Sequence, residues 1–361
     1  MTDLIVSCPI NDTSIGNVSV NILRELWKQK INVALFPVQN NIDFSVYDKL
    51  PEEFQNWVKL SAQNKFKKLK KDTPALQVWH INGSQAKLST KSFLYSFYET
   101  SKPTLAEINI CKTHEKVFFS SSYAKDLFTN CGLSNIEYVP LGFDEDFHES
   151  KRLYLDDVVH FSLLGKFEKR KNTALILKCW AKHFGNDPKF HLSCAIMNKF
   201  MPAEDLNNSI GQALNGEVYQ NINFLPFIPS NSEYNTLLNS IDIDLTGLSG
   251  GEGWNLPSFN ATCLGKWSCV LNCTSHKDWA NQDNSILIEP NGKQESEDGI
   301  FFKNGGEFNQ GEFYTFDESQ ITTTFVKAIA RHKQKNIEGQ KLKENFNYKN
   351  SVNSLLQHIN T

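Results

Sequence analysis

A short apolar run, Leu4-Ile5-Val6-Ser7-Cys8, opens the chain, and a polar loop, PINDTSIG, follows it. Val18, Ile22, Leu23 and Leu26 then recur at three- and four-residue spacing within NVSVNILRELWKQK, which predicts a helix with one buried face. The next run, INVALFPV, reads as a buried strand. The rhythm repeats. ALQVWHING, SFLYSF and EKVFF predict strands, with the helix SYAKDLFTN and the turn VPLGFD after the last of them. Residues 146–157 are charged and mark a boundary. Beyond it VVHFSLLGK, KFHLSCAIM, INFLPFIP, IDIDLTGL and WSCVLNC predict strands. TALILKCWAKHF, NSEYNTLLNSI, SFNATCLG, ITTTFVKAIARHKQ and NFNYKNSVNSLLQHI predict helices. Strands alternating with helices give an α/β chain of two doubly wound, Rossmann-like domains. The expected division is 1–150, 151–335 and a closing helical segment, 336–361.

The chemistry concentrates in Leu245–Cys273. IDIDLTGL breaks at Ser249-Gly250-Gly251, presents the carboxylate of Glu252, and continues through Gly253 to a helix set up by Leu256 and Pro257. Gly265 reads as that helix's stop. Glycines let backbone N–H groups approach a ligand, and a helix start favours an anion. Glu252 beside such a turn is placed to accept hydrogen bonds from hydroxyls. A phosphate site next to a polyol site fits a nucleotide sugar. The same residues would equally serve as a tight turn with an exposed glutamate.

A second constellation lies after VVHFSLLG, where Lys166 and Lys171 stand at a strand end and a helix start, with Asn172 able to cap the helix. Two such cations can converge on one diphosphate. Arg170 between them can share that task. His80 ends a strand, Glu99 ends another, and Gly16 sits in the first loop, where a plain turn accounts for it as well as a ligand does. Asp242-Ile243-Asp244 imitates a metal-binding pair but lies at the start of its strand, away from the carboxyl-end crevice, so we read it as structural. Residues 53–71 predict an amphipathic helix with Phe54, Trp57, Val58, Phe66 and Leu69 on its apolar stripe and a basic end. Those lysines suit the helix dipole's negative end, or else an anionic membrane or an acidic acceptor.

Composition narrows the classes. A formal net charge of −3 over 361 residues argues against a general nucleic-acid binder. No apolar run is long enough to span a bilayer, and no apolar signal core opens the chain. The eight cysteines are scattered without a Cys-x-x-Cys pair, which fits free buried thiols in a reducing cytoplasm.

SGGEGWNLPSFNATCLGKWSCVLNC resembles the donor-site segment of retaining GT-B glycosyltransferases of family 4, the glycogen-synthase-like kind. That segment reads Ser-x-x-Glu-Gly-Phe-Gly-Leu-Pro, with a second Glu eight positions after the first. Here Glu252 is the first Glu, Trp254 the aromatic, Asn255 replaces the second Gly, and Asn260 replaces the second Glu. Gly165-Lys166 and Lys171 are similar to the family's Gly-Arg…Lys pattern, with Lys for Arg. The resemblance implies a GT-B fold, two Rossmann-like domains facing across a cleft, with the last helix crossing back to the first.

It also implies metal-independent transfer from a nucleotide diphosphate sugar, UDP- or GDP-linked, with no other cofactor. Lys166, Lys171 and the backbone around Gly253–Leu256 would stabilise the leaving diphosphate. Glu252 would hold a sugar hydroxyl and His80 would orient the sugar. Gly16, Gly250, Gly251, Trp254 and Asn260 would complete the donor site. The acceptor, a glycan, a lipid-linked molecule or another, is open. A cytoplasmic place, with peripheral contact at the inner membrane face through 53–71, is the expectation. The alternative is a catalytically inactive nucleotide-sugar or glycan-binding protein of the same fold, motivated by Lys166 and Asn260.

Overall fold

The computed structural model describes residues 2–360. The apolar runs of the first half pair in parallel: β1 (Leu4–Cys8), β2 (Val33–Pro37), β3 (Ala75–Val78), β4 (Ser92–Ser96), β5 (Lys116–Phe119) and β6 (Ile136–Tyr138) lie in the order β2-β1-β3-β4-β5-β6. The second half repeats the plan. β7 (Val159–Leu164), β8 (Phe190–Ala195), β9 (Ile222–Phe224), β10 (Ile243–Asp244), β11 (Trp267–Leu271) and β12 (Ser285–Ile288) lie in the order β12-β11-β10-β7-β8-β9. Strand order reverses between β1 and β3 and again between β10 and β7. In open α/β sheets, ligands bind beyond the carboxyl ends of the strands at such reversals.

Several local expectations need correction. The helix Ser14–Lys28 begins before Gly16, because Thr13 caps it by accepting from the Gly16 N–H at 3.1 Å. Gly16 therefore belongs to the first helical turn and not to the loop. A Cβ there would collide with Asn11, so the glycine lets the loop fold against the helix. IDIDLTGL is a strand only at Ile243–Asp244, followed by the 3₁₀ turn Thr246–Leu248. Asp244 bends the chain there by accepting from the Thr246 N–H at 3.2 Å. Its neighbour Asp242 holds Arg152 at 2.6 Å and the His160 N–H at 2.8 Å.

The predicted helix over 53–71 is Glu52–Gln63 with one 3₁₀ turn, Asn64–Phe66. Asn64 Nδ2 donates to Val33 O at 2.8 Å, and the chain from Lys67 is irregular. The lysines therefore do not complement the helix dipole, and Phe66 is 83% exposed instead of joining the stripe. After the loop that leaves β11, Ser285–Ile288 forms the parallel strand β12. A separate antiparallel ribbon, β13 (Gly292–Glu295) with β14 (Glu312–Thr315), carries a long loop, 296–311.

The helix Tyr348–Ile359 packs against Ser14–Lys28, and its Tyr348, Val352, Leu355 and Ile359 join the core of the first sheet. Ser351 Oγ donates to Pro140 O at 2.6 Å, and Phe143 bridges to Asn347. A Cβ on Gly142 would collide with the Tyr348 backbone, so close docking of this helix requires the glycine. All eight cysteines are free; Cys131 is exposed and the rest are buried. Among the described residues no helix is long and apolar enough to cross a membrane.

Candidate active site

The two loops that leave β7 and β10 meet where the order of the second sheet reverses. Gly165 turns with φ +100°, and the chain passes through Lys166, Glu168, Arg170 and Lys171 into the helix Thr173–Phe184. Asn172 does not cap that helix through its side chain. It takes a left-handed conformation, and its amide donates to Leu248 O at 2.8 Å. The Gly250 N–H donates to Arg170 O at 2.8 Å, which stitches the loops a second time.

The charged side chains form one cluster. Glu252 Oε1 is 2.6 Å from Lys171 Nζ, and Glu252 Oε2 is 2.9 Å from Arg170. Arg170 also binds Glu168 at 2.9 Å and reaches Glu99 of the first domain at 3.5 Å. Lys166 pairs with Glu168 at 2.8 Å. Lys166, Arg170 and Lys171 thus balance Glu99, Glu168 and Glu252. Burial alone would push the Glu252 carboxyl up, but Arg170 and then Lys171 outweigh it and hold it well below the usual carboxylate range. Glu168 is lowered for the same reason, whereas burial wins at Glu99 and raises it.

The glycines of the turn serve a purpose the sequence did not disclose. Substituted with a Cβ, Gly250 would collide with Tyr314 O and Gly251 with Glu99 O, and Gly253 would stand 2.8 Å from Phe97 Cβ. What approaches this turn closely is protein, from β14 and from the first domain. Ser120 Oγ donates to Gly253 O at 2.6 Å across the same boundary.

Asn255, where the resembling segment carries Gly, has φ +70°. Asn tolerates the left-handed region better than other side chains, so backbone geometry explains both residues. Its side chain caps the helix Leu256–Cys263 and donates to Thr246 O and to His276 Nε2, each at 3.0 Å. His276 is fully buried and its Nδ1 faces Leu271 O at 2.8 Å, so these partners assign the proton to Nδ1. Burial holds its imidazole pKa down at about 4.

Trp254 does not present its ring to the cleft. It packs on Phe259 and Phe346 at centroid distances of 5.3 and 5.4 Å. Leu256 is partly buried against the same core. Asn260 is buried, and its Oδ1 has no hydrogen-bond partner. His80 lies past β3, exposed in the concavity between the domains and edge-on to Trp79. Desolvation by its surroundings, with the charge of Lys166 nearby, lowers its pKa. Gly16 lies at the reversal in the first sheet, its N–H already committed to Thr13.

Sequence reasoning thus brought Lys166, Lys171, Glu252 and His80 to one cleft. It understated Arg170, the centre of the cluster, and missed Glu168 and His276. Glu168 and Arg170 did carry a signal: opposite charges two residues apart inside the basic loop.

No family model matches the sequence, and no curated protein matches it. Solved structures do match in fold. Sucrose-phosphate synthase from Thermosynechococcus elongatus superposes with a TM-score of 0.69 at 11% identity, over 98% of this chain and 97% of that one. An α,α-trehalose-phosphate synthase (UDP-forming) from Burkholderia vietnamiensis gives 0.67 at 9% identity, over 100% and 98%. HepE of Anabaena, solved in complex with UDP, gives 0.60 at 12% identity, over 100% and 98%. The fold is GT-B. In GT-B terms, the charged cluster lies on the cleft face of the second domain, with His80 and Glu99 supplied by the first.

Proposed function

We propose that this GT-B chain is a retaining glycosyltransferase that moves a sugar from a UDP- or GDP-linked donor without a metal. The observation that carries the reading is the Arg170–Glu252–Lys171 cluster at the carboxyl-end crevice of the second sheet. Lys166 and Lys171 would bind the donor diphosphate, and Lys171 would exchange Glu252 for phosphate as it does so. Glu252, still held ionised by Arg170, would accept from a sugar hydroxyl. The glycosidic C1–O bond breaks with its electron pair passing to the β-phosphate oxygen. An acceptor oxygen forms the new bond on the same face, and its proton passes to a phosphate oxygen. Fixed cations aimed at that developing charge contribute on the order of 3 kcal/mol each to such barriers. The unpaired Oδ1 of Asn260 is the acceptor a ribose hydroxyl would need, without charge assistance.

A ligand that binds the native state raises its melting temperature. Among UDP, GDP, ADP and TDP, one is expected to stabilise the chain selectively. Lys171→Ala should weaken that nucleotide by about ten- to a hundredfold, since a charge-assisted contact is worth roughly 1.5–3 kcal/mol. No shift with any nucleotide would sink the reading. One observation favours a second reading, a catalytically silent nucleotide-sugar binder: each cation already has a carboxylate partner. Nucleotide binding without donor hydrolysis or transfer would select it.

The acceptor side of the proposal includes peripheral contact at an inner membrane face. Lys67, Lys68, Lys70 and Lys71 are exposed beside Phe66 and Leu60, which are 83% and 60% exposed. Co-sedimentation with phosphatidylserine vesicles, lost in 0.5 M salt at roughly ionic-strength screening and in Phe66→Ser, is expected. Equal recovery with neutral vesicles would reject it.

A further inference from the structure

The loop between β13 and β14 is a strap laid across the cleft. At one end it is bound to the first domain: the Asn309 N–H donates to Glu107 at 2.8 Å, Thr104 Oγ1 to Glu307 O at 2.6 Å, and Lys102 pairs with Gln310 as an isolated antiparallel bridge. In its middle, Asp298 Oδ1 accepts the N–H groups of Ile300, Phe301 and Phe302 at 2.8, 2.8 and 2.9 Å. That turn aims two consecutive aromatic rings at the charged cluster. The Phe301 centroid is 4.4 Å from Lys166 Nζ and the Phe302 centroid 5.9 Å from the Arg170 guanidinium carbon. Phe200, from the loop after β8, meets Phe301 edge-on at 5.0 Å and lies 5.4 Å from the same ammonium.

Lys166 is therefore fixed on three sides, by Phe301, Phe200 and Glu168, while its side chain keeps 40% exposure. A lysine ammonium on a flexible stem is a poor substitute for a planar guanidinium unless something orients it. An aromatic face supplies that without neutralising the charge. A strap tied to the first domain at its Glu307–Gln310 end and turned by Asp298 presents the Phe301 ring to Lys166.

We propose that Phe301 is a positioning residue of the donor site: through its ring it holds Lys166 where the donor's diphosphate must bind. The proposal rests on the glycosyltransferase reading above and concerns the same site. Phe301 acts through Lys166 and not by touching the nucleotide.

A double-mutant cycle tests it, with the stabilising nucleoside diphosphate as probe and titration calorimetry as readout. Phe301→Leu keeps apolar bulk and removes the π face, and is expected to weaken binding about two- to fivefold. Phe301→Tyr should restore wild-type affinity. In the Lys166→Ala background, Phe301→Leu should have no further effect. Melting curves confirm that each variant is folded. Losses that add in the double variant, or a Phe301→Tyr as weak as Phe301→Leu, would overturn the positioning role and leave the site reading standing. A wild-type chain that binds no nucleoside diphosphate would overturn both. Nuclear magnetic resonance of ¹³C-methylated lysines adds a ligand-free check. The Lys166 methyl signal, assigned by its loss in Lys166→Arg, should carry a ring-current shift that shrinks in Phe301→Leu to the part contributed by Phe200. An unchanged shift would also overturn the role.

Discussion

Arg170→Ala is expected to cost about 3–5 kcal/mol of stability, because it leaves buried carboxylates short of a cation. Arg170 and Glu168 are 4% and 5% exposed, and Glu252 is likewise 5%. Lys166 and Lys171 can still neutralise Glu168 and Glu252 one apiece, so the uncompensated charge falls on the set as a whole, Glu99 included. The pH dependence separates this from simple loss of packing. In the wild-type chain Glu252 and Glu168 are held below their ordinary values, so their stabilising contribution is complete above pH 4.5 and lost as pH falls further. Without Arg170, burial pushes carboxyls in the cluster above their unfolded values. The penalty is then present at neutral pH and relieved by protonation as pH falls. Melting temperatures of the two proteins should differ more at about pH 7.5 than at about pH 5. A gap that stays constant between those values would contradict the charge argument.

Gly251→Ala should separate the two domains while leaving each folded. The new Cβ would meet Glu99 O, a backbone atom of the first domain that no rotamer change can move aside. Nothing at Gly251 itself is strained by a side chain, since its φ lies outside the left-handed region. The clash is thus relieved by opening the cleft, not by unfolding. We expect a larger radius of gyration in small-angle scattering and donor-nucleotide affinity within about threefold of wild type. Under the proposed glycosyltransferase function, transfer is expected to fall by about a hundredfold, as a displacement near 1 Å between reacting groups can cost. Unchanged scattering and unchanged transfer would mean that the Phe97–Glu99 segment yields instead.

The parts of this molecule that could be read from sequence are those set by local pattern. Unbroken apolar runs fixed most of the parallel strands, and the Ser249–Glu252 break drew attention to the loop after β10, although that strand ends earlier, at Asp244. The rest was hidden by long-range pairing. Arg170 reads as one more basic loop residue until Glu252, far along the chain, is folded beside it. The strap reads as glycine-rich filler because its meaning lies in Thr104 and Glu107 at one end and Lys166 in the middle. Phe66 looked like part of an apolar stripe because periodicity cannot show that Asn64 ties the helix end to Val33. Asn255 looked like a departure, although the backbone requirement it meets is the one a glycine would meet.

The crossing of Tyr348–Ile359 onto the first sheet bears on how the chain is made. Val18, Ile22 and Leu26 are translated well before part of the surface that buries them, which is supplied by residues more than three hundred positions later. Vectorial synthesis usually lets the amino-terminal domain finish first. Here the second sheet has its whole strand set while the first still lacks its covering helix. The domain begun first is the one sealed last, and nascent chains carry an open apolar face throughout the synthesis of the second half.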